Sequence, residues 1–272
     1  MQVLAGIDDD QFRKPSTAGS EFFVEELNAG IESDPATSFY CGDAAGRLAG
    51  WKSGAKADFA CSDREFAFNL ELPFKTPEQL FLGDAKTYEF KHEFDPKTVR
   101  FDLSLFSPTS TPLVSKTKEL VIMVGYPGSG KSTFSKTHLV SQGYVRANTD
   151  ELKTPAKVLA VVAAAMAKGE RVVVDNTNPS KDARAPFIQL AVKHGYPVRV
   201  FRMNISREFA THLNYYRMRT TGLRRVPDIA YNVYSSKYVE PSTSEGISEI
   251  KLINFVPTFA DDAEKKQFLK FT

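Results

Sequence analysis

The chain has 272 residues, 42% of them hydrophobic, and a net charge of only +2. This length suits one large or two ordinary domains with real cores, and no apolar run reaches the roughly 20 residues needed to span a bilayer, so no membrane contact is expected. The near-neutral charge argues against a surface built wholly for nucleic acid but permits a local basic patch. The two cysteines, Cys41 and Cys61, imply neither a disulfide framework nor a closed metal site.

The first 95 residues read as a separate domain. Residues 2–7 are apolar and strand-like, and residues 20–27 favour a helix. A short hydrophobic run at Tyr40–Cys41 leads into Asp43, which places a carboxylate at the carboxyl end of a strand, where open α/β sheets keep their sites. Such a carboxylate can ligate Mg²⁺. Taken alone, however, the pattern favours a turn-capping aspartate.

Residues 96–116 have the composition of a connection. They contain three prolines and a Ser/Thr cluster, SPTSTP, at Ser107–Pro112. This composition predicts an extended, weakly structured linker between a first domain over 1–95 and a second over 117–272.

From residue 117 onward, strand-like and helix-like segments alternate. Alternation of this kind predicts a parallel sheet with crossover helices. Pro186 is expected to kink the helix that contains it. The predicted strands cover 120–124, 144–147, 171–175, 197–201 and 250–255, and the predicted helices cover 133–142, 155–168, 180–194, a segment capped by Ser206, and 228–239.

The most specific motif is the stretch LVIMVGYPGSGKSTF at Leu120–Phe134. Its glycines, lysine and serine match the G-x-x-x-x-G-K-[ST] spacing of a phosphate-binding loop, with a strand before and a helix after, as that loop requires. Glycines let backbone N–H groups face an anion, and the helix N-terminus adds its positive dipole end. The motif predicts an ATP site at Gly125, Gly128, Ser129, Gly130, Lys131, Ser132 and Thr133, in which Lys131 reaches the β/γ-phosphates and Ser132 ligates Mg²⁺.

Two acidic residues follow strands that neighbour this loop in the sequence. Asp150 and Asp175 would both point towards the nucleotide in a doubly wound sheet, one organising Mg²⁺ and the other accepting a proton from an attacking hydroxyl. Spacing alone does not assign these two roles, and both residues could instead cap the following helix or turn. Seven arginines lie between Arg199 and Arg225 against one acid, which favours a phosphate clamp over a solvated helical face.

Several longer segments resemble one family. YVRANTDEL, VVVDNTNPSKDAR, HLNYYRMR followed by VPD, and YVEPSTSEG resemble the 5′-kinase domain of the polynucleotide kinase 3′-phosphatases, which repair DNA ends. FRKP, YCGDAAGR and DFACSDREFAFNLELPF with the TPEQLFLG that continues it resemble the second half of that family's phosphatase domain. The implied fold is a phosphate-loop kinase domain with a central parallel sheet, preceded by an incomplete haloacid-dehalogenase-like α/β domain.

For the kinase half, the resemblance implies an ATP- and Mg²⁺-dependent transfer to a DNA 5′-hydroxyl. Asp150 would be the general base, Arg217 the lid arginine on the transferring phosphoryl group, and Arg184 a DNA contact. Arg219 competes with Arg217 for the lid role and is a further candidate DNA contact. Asp175, with Ser132, is the predicted metal ligand. Family members usually carry Arg just before the catalytic Asp, where this chain has Thr149; Arg146 or Lys153 could supply the charge.

For the phosphatase half, the resemblance makes Lys14 the lysine that neutralises a phosphate and Asp43 a Mg²⁺ ligand. The printed sequence lacks the D-x-D-G-T motif, whose first aspartate is the nucleophile of this class. The leading hypothesis is therefore a 5′-hydroxyl kinase without phosphatase turnover. The alternatives are a bifunctional enzyme, a kinase with a non-catalytic DNA-end-binding module, and a small-molecule kinase on the same fold. The resemblance also implies a nuclear location, with 3′-phosphate ends and DNA repair scaffold proteins as further partners.

Overall fold

A computed structural model describes residues 10–272. The strand expected over 2–7 lies outside the described residues. The helices are α1 Ala18–Phe22, α2 Ser62–Asn69, α3 Pro77–Phe81, α4 Lys131–His138, α5 Thr149–Leu152, α6 Pro155–Ala167, α7 Lys181–His194, α8 Arg207–Thr221, α9 Asp228–Lys237 and α10 Asp262–Phe268. The strands are β1 Tyr40–Cys41, β2 Phe74–Lys75, β3 Phe106–Ser107, β4 Leu120–Val124, β5 Val145–Ala147, β6 Val172–Val174, β7 Val198–Met203 and β8 Glu249–Ile253.

The described chain forms two compact units. The first contains the described residues up to Val99 together with 215–223 and 259–272, and the second contains 100–214 and 224–258. The range 117–272 predicted as one domain is therefore not one unit, because its last residues, with α10, pack in the first. No helix in the described part of the chain is both long and apolar enough to cross a membrane.

The second unit is built on a six-stranded sheet in the order β3-β8-β7-β4-β6-β5. All its pairs are parallel except the edge pair of β3 with β8. From β4 the chain forms β5 and β6 on one side of that strand and then crosses to form β7 and β8 on the other side. The carboxyl end of such a strand is where doubly wound sheets bind ligands.

Hydrophobic side chains cover both faces of this sheet. In β4, Leu120, Ile122 and Val124 face one core cluster, which α6 and α7 complete, while Val121 and Met123 face a second, which includes Phe134 of α4. All five β4 residues are buried. The continuous apolar run that predicted a central strand is thus explained by burial on both faces.

Most of the segment 96–116, predicted as a weakly structured linker, is instead part of the second unit, which begins at Arg100. Phe106 pairs with Ile253 as an edge strand, and Leu105 and Leu113 pack against the core. Lys251, fully buried, donates hydrogen bonds to the carbonyls of Pro108 and Thr111, each at 2.9 Å. Composition missed this because the stabilising contacts come from residues more than a hundred positions away.

The first unit is a small α/β arrangement. Its parallel pair joins Tyr40 to Phe74, and α2 and α3 follow the two strands. Residues near the C-terminus belong to the same unit because Asn69 accepts a hydrogen bond from the N–H of Phe271 at 2.8 Å and donates one to its carbonyl at 3.0 Å. A two-stranded parallel sheet with flanking helices agrees with the expected incomplete haloacid-dehalogenase-like domain.

One predicted helix is shorter than expected. Helix α4 ends at His138, and a 3-10 turn, Val140–Gln142, carries the chain to Gly143, whose positive φ of 86° ends it. Pro186 lies inside α7, which is continuous from Lys181 to His194, and the kink expected there stays a prediction.

Candidate active site

The phosphate loop connects β4 to α4. Helix α4 begins directly after Gly130 without a side-chain cap, so its first N–H groups have no side-chain acceptor and suit an anion. Gly128 has a φ of +73°, and a Cβ there would lie 2.8 Å from the hydroxyl of the fully buried Tyr231. The loop conformation therefore depends on glycine both for its backbone angle and for space.

Lys131 is folded back onto the loop. Its ammonium donates hydrogen bonds to the carbonyls of Gly125 at 2.9 Å and Tyr126 at 2.5 Å and to the hydroxyl of Ser129 at 3.2 Å. Burial lowers the pKa of Lys131 to about 8, although the carboxylates of Asp175 and Asp150 act in the opposite direction. A cation held by carbonyls, which are weaker partners than phosphates, can exchange them for a bound triphosphate.

Asp175 lies just after β6 and is 1% exposed. Its Oδ2 atom accepts hydrogen bonds from the hydroxyl of Ser135 at 3.1 Å and from Nε of Arg146 at 2.7 Å. Its Oδ1 atom is buried and has no hydrogen-bond partner among the described residues. Arg146 also reaches the hydroxyl of Ser132, at 3.4 Å. The two predicted metal ligands, Ser132 and Asp175, therefore contact one and the same guanidinium.

This donor set fits Mg²⁺. Hard cations take carboxylate and hydroxyl oxygens, and an unsatisfied buried carboxylate oxygen is the kind of ligand that such an ion would use. Ser132 and Asp175 would hold the ion, which supplies charge to neutralise the phosphates when it is bound. Arg146 adds a fixed positive charge beside these two ligands.

Asp150 differs from Asp175 in exposure. It lies in the first turn of α5, and its side chain is exposed. Asn148 caps this helix, accepting from the N–H of Asp150 at 2.7 Å, and Ser180 caps α7. Neither aspartate is therefore a helix cap, so the helix-capping alternative does not apply to them. Only Asp150 is open to a substrate, whereas Asp175 is enclosed by its hydrogen-bond donors.

The first unit contains a cavity of about 780 Å³ whose lining includes both predicted residues, Lys14 and Asp43. The ammonium of Lys14 contacts the carboxylate of Asp63 and donates to the hydroxyl of Tyr40 at 3.0 Å. Asp63 is 4% exposed, and its other oxygen accepts from the N–H of Ala44 at 3.0 Å. Sequence reasoning gave Asp63 no role; its position in the first turn of α2, after the DFACS segment, was the available signal.

Comparison with known proteins decides the family. The sequence model described as "Polynucleotide kinase 3 phosphatase" matches residues 1–81, and one described as "AAA domain" matches 120–160 and 152–241. A bifunctional polynucleotide phosphatase/kinase of Schizosaccharomyces pombe is 35% identical over 93% of this chain and 59% of its own length. A putative bifunctional polynucleotide phosphatase/kinase of Acanthamoeba polyphaga mimivirus is 34% identical over 97% of this chain and 68% of its own. The chain belongs to the polynucleotide phosphatase/kinase family.

A third relative matches only the first unit's sequence. A polynucleotide 3′-phosphatase of Saccharomyces cerevisiae is 40% identical over 27% of this chain and 31% of its own length. The relatives from Schizosaccharomyces pombe and mimivirus match nearly all of this chain, but the chain spans only about three fifths of the first and two thirds of the second. Family membership confirms the resemblance read from the sequence motifs.

The prediction that Arg184 contacts DNA is not supported by its position in this family member. Arg184 is fully buried, and its guanidinium forms two 2.8 Å hydrogen bonds with the carboxylate of Glu245. It also donates to the carbonyls of Asn178, Pro179 and Val239, at 3.1 to 3.3 Å. A fully buried guanidinium with these five acceptor atoms around it is enclosed by protein, so Arg184 holds the segment after β6 in place instead.

The arginine-rich run is only partly available as a phosphate clamp. Arg199 lies within the sheet, where it pairs with the buried Glu119 at 2.6 Å. Arg202 pairs with Glu240 at 3.2 Å. A run of arginines in sequence had favoured a clamp, but a β-strand alternates its side chains between faces, so nearby arginines do not share one surface.

The two candidates for the lid arginine lie in the part of α8 that belongs to the first unit. Arg219 donates to the carbonyl of Phe271 at 3.1 Å, and burial lowers its pKa to about 10. This contact engages Arg219 in holding the C-terminal residues. Arg217, half-buried, stays the predicted lid arginine.

The charge expected in place of the usual arginine before Asp150 has two candidates. Lys153 directs its ammonium to the carbonyl of Asp150 at 2.6 Å. Arg146, by contrast, contacts Asp175 and Ser132. Arg146 is therefore the better placed of the two to meet a phosphate bound on the loop.

Proposed function

We propose that the chain is an ATP-dependent polynucleotide 5′-hydroxyl kinase. The observation that carries the proposal is the presence of a buried Asp175 and an exposed Asp150 after adjacent parallel strands, with Asp175 hydrogen-bonded to Ser135 in the helix that follows the phosphate loop. A kinase needs a residue that binds the phosphates, a positive charge that neutralises them, and a base that the acceptor can reach. Lys131 is suited to the first role, Asp175 can hold the Mg²⁺ that supplies the charge, and the exposed Asp150 is suited to the third.

The reaction follows from these positions. The oxygen of the 5′-hydroxyl forms a bond to the γ-phosphorus while Asp150 accepts the hydroxyl proton. The bond from that phosphorus to the β,γ-bridging oxygen breaks, and ADP is released. Lys131 leaves the carbonyls of Gly125 and Tyr126 to bind the β/γ-phosphates. Arg146 adds a fixed positive charge beside Ser132, and Arg217 is assigned to the transferring phosphoryl group.

Transfer of the γ-phosphate from labelled ATP to a 5′-hydroxyl oligonucleotide tests this proposal. Asp150→Asn keeps the size of the side chain but removes the base, so we expect a rate about 10² to 10⁴ times lower. Asp182→Asn, at an exposed acid in the first turn of α7, is the matched control and should keep wild-type activity. A folded wild type without transfer, or an Asp150→Asn variant with full activity, contradicts the proposal.

The acceptor class requires a separate measurement. A polynucleotide kinase neutralises several phosphates of its substrate, so its DNA affinity should fall steeply with salt, whereas a small-molecule kinase should have no such affinity. Equal binding at 50 and 200 mM salt would favour the small-molecule alternative. A role at DNA strand breaks in the nucleus, with repair scaffold proteins as partners, is part of the same proposal.

A second candidate function concerns the first unit. Lys14 and Asp43 line a cavity that is large enough for a nucleotide end, and this supports a site for 3′-phosphate ends. Because the printed chain lacks the D-x-D-G-T nucleophile, we expect it to bind such ends without hydrolysing them. Lys14→Ala should weaken binding of a 3′-phosphate oligonucleotide but not of its 3′-hydroxyl counterpart. Mg²⁺-dependent phosphate release by the wild type would overturn this reading.

A further inference from the structure

Three potential metal ligands, none of them given a role above, converge in the first unit. The Sγ atom of Cys61, a carboxylate oxygen of Glu65 and a ring nitrogen of His92 all lie within 4.8 Å of one another. Cys61 and Glu65 are 6% and 7% exposed, and the side chain of His92 is 19% exposed. Buried groups of this chemistry need partners, since an unsatisfied one is costly.

Local structure brings the three together. Cys61 and Glu65 are four residues apart at the start of α2, so they lie on one face of the helix. His92 comes from the segment after a bridge between Arg47 and Phe90. Gly46 links the start of α2 to the segment that contains His92. Its N–H donates to the carbonyl of Ala60 at 3.0 Å, and its carbonyl accepts from the N–H of Lys91 at 3.0 Å.

The surroundings enclose the cluster. A Cβ on Gly46, whose φ is +71°, would lie 2.6 Å from Sγ of Cys61, so the backbone covers the thiol closely. The ring of His92 stacks on Phe271 at 4.5 Å and meets Phe90 edge-on at 5.3 Å. These contacts fix the histidine ring, as ligand rings in metal sites are fixed by their neighbours.

The contacts within the group centre on one histidine nitrogen. Nδ1 of His92 lies 3.0 Å from Oε1 of Glu65 and 3.8 Å from Sγ of Cys61. The same three atoms can each donate an electron pair to a single cation once the thiol and this ring nitrogen have released their protons.

The distance between the sulfur and the ring nitrogen suits a small tetrahedral ion. Zn–S and Zn–N bonds of about 2.3 and 2.0–2.1 Å give a sulfur-to-nitrogen edge of about 3.6 Å in a tetrahedron. The observed 3.8 Å is close to that edge. One thiolate, one imidazole and one carboxylate form a borderline-soft set, which selects Zn²⁺ or Co²⁺ over Mg²⁺ or Ca²⁺.

We propose that Cys61, Glu65 and His92 form a binding site for a zinc-class transition metal ion, which joins the start of α2 to the segment around His92. Three protein ligands leave a fourth position for water or another donor. The proposed kinase reaction does not use these three residues, so the proposal of a metal site does not depend on that activity.

Cobalt substitution of the full chain tests the proposal. Co²⁺ alone is added to chelator-treated protein, and we expect one equivalent to bind with a thiolate-to-cobalt charge-transfer band that Zn²⁺ displaces. Cys61→Ser should abolish the band, while Glu65→Gln and His92→Gln should weaken Co²⁺ binding. Cys41→Ser, at the other cysteine, is the matched control and should leave the band unchanged.

The possible results separate clearly. Circular dichroism first establishes that each variant is folded, and an unfolded Cys61→Ser leaves Glu65→Gln and His92→Gln to decide. A folded wild type without the band, a band that persists in Cys61→Ser, or a band lost in Cys41→Ser overturns the proposal. As a second readout, Zn²⁺ should raise the melting temperature of the wild type but not that of Cys61→Ser.

Discussion

Replacing Arg184 by leucine distinguishes a structural role for this residue from the DNA contact that its sequence motif implied. The substitution removes a guanidinium that is fully buried and paired twice with Glu245. Leucine fills part of the volume but offers no donor to the carboxylate or to the three carbonyls that Arg184 binds. The carboxylate of Glu245, 7% exposed, then stays buried without its counter-ion.

The expected cost is large. Removing one partner of a buried ion pair destabilises a protein by about 3–5 kcal/mol, because the other charge is left uncompensated. In a domain of about 150 residues, 1 kcal/mol corresponds to about 2–4 °C in melting temperature. We therefore expect Arg184→Leu to melt about 10 °C below the wild type.

The pH dependence provides an independent check. Burial acts to raise the pKa of Glu245, but hydrogen bonds from Arg184 and from the N–H of Ser242 lower it overall. A lowered folded-state pKa stabilises the fold above the unfolded-state pKa, and this contribution is lost as the pH falls through the folded-state value. Arg184→Leu should lack this acid-labile contribution.

Urea denaturation followed by circular dichroism measures these effects. Arg100→Leu is the matched control, since Arg100 pairs with Asp102 on the surface, where both side chains are mostly exposed. It should change the free energy of unfolding by less than about 1 kcal/mol. The double variant Arg184→Leu/Glu245→Leu should recover part of the loss, because no buried charge then lacks a partner.

One combination of results would show that Arg184 contacts DNA and has no structural role. In that case, Arg184→Leu has the same midpoint urea concentration of unfolding as the wild type but binds 5′-hydroxyl DNA much more weakly. Equal DNA affinity at a urea concentration where both proteins are folded supports the structural role.

Two further predictions concern the phosphate loop. Because the pKa of Lys131 is about 8, the ammonium of the ATP-free chain loses its proton between pH 7 and pH 9, and ATP affinity should fall roughly tenfold over that range. Lys131→Arg should make ATP affinity nearly independent of pH, because a guanidinium stays charged. Equal wild-type affinity at both pH values in a fluorescent-nucleotide titration contradicts this prediction. Gly128→Ala should lower ATP affinity at least about tenfold, because its Cβ would meet Tyr231. Gly169→Ala, with a similar positive φ but open space around it, should cost only about 1 kcal/mol of stability. Similar nucleotide binding by the two variants would show that the contact with Tyr231 is unimportant.

The phosphate loop and the parallel sheet could be predicted because their signals are local. A buried strand needs a continuous apolar run, and a loop that wraps an anion needs glycines at fixed spacing before a helix. The residues Leu120–Ser132 carry both signals without help from the rest of the chain. The positions of Asp150 and Asp175 after strands were foreseeable for the same reason.

The local signals do not show which of the two aspartates a substrate can reach, and burial in the fold decides this. Asp150 and Asp175 follow similar strands, yet only Asp175 is enclosed by Ser135 and Arg146, because β6 lies inside the sheet and β5 lies at its edge. The motif around Arg184 does not reveal that Glu245, 61 positions later, takes up its charge.

The sequence by itself determined the nucleotide loop, the strand and helix alternation and the family, since each depends on neighbouring residues or on short motifs. Tertiary structure decided which charged groups are free to act and which are held by others. It also brought Cys61, Glu65 and His92 together, a convergence that spans 31 residues and that no spacing rule predicts. The reason is physical: a side chain's chemistry is fixed by its type, but its availability depends on the charges and hydrogen-bond partners that folding places around it.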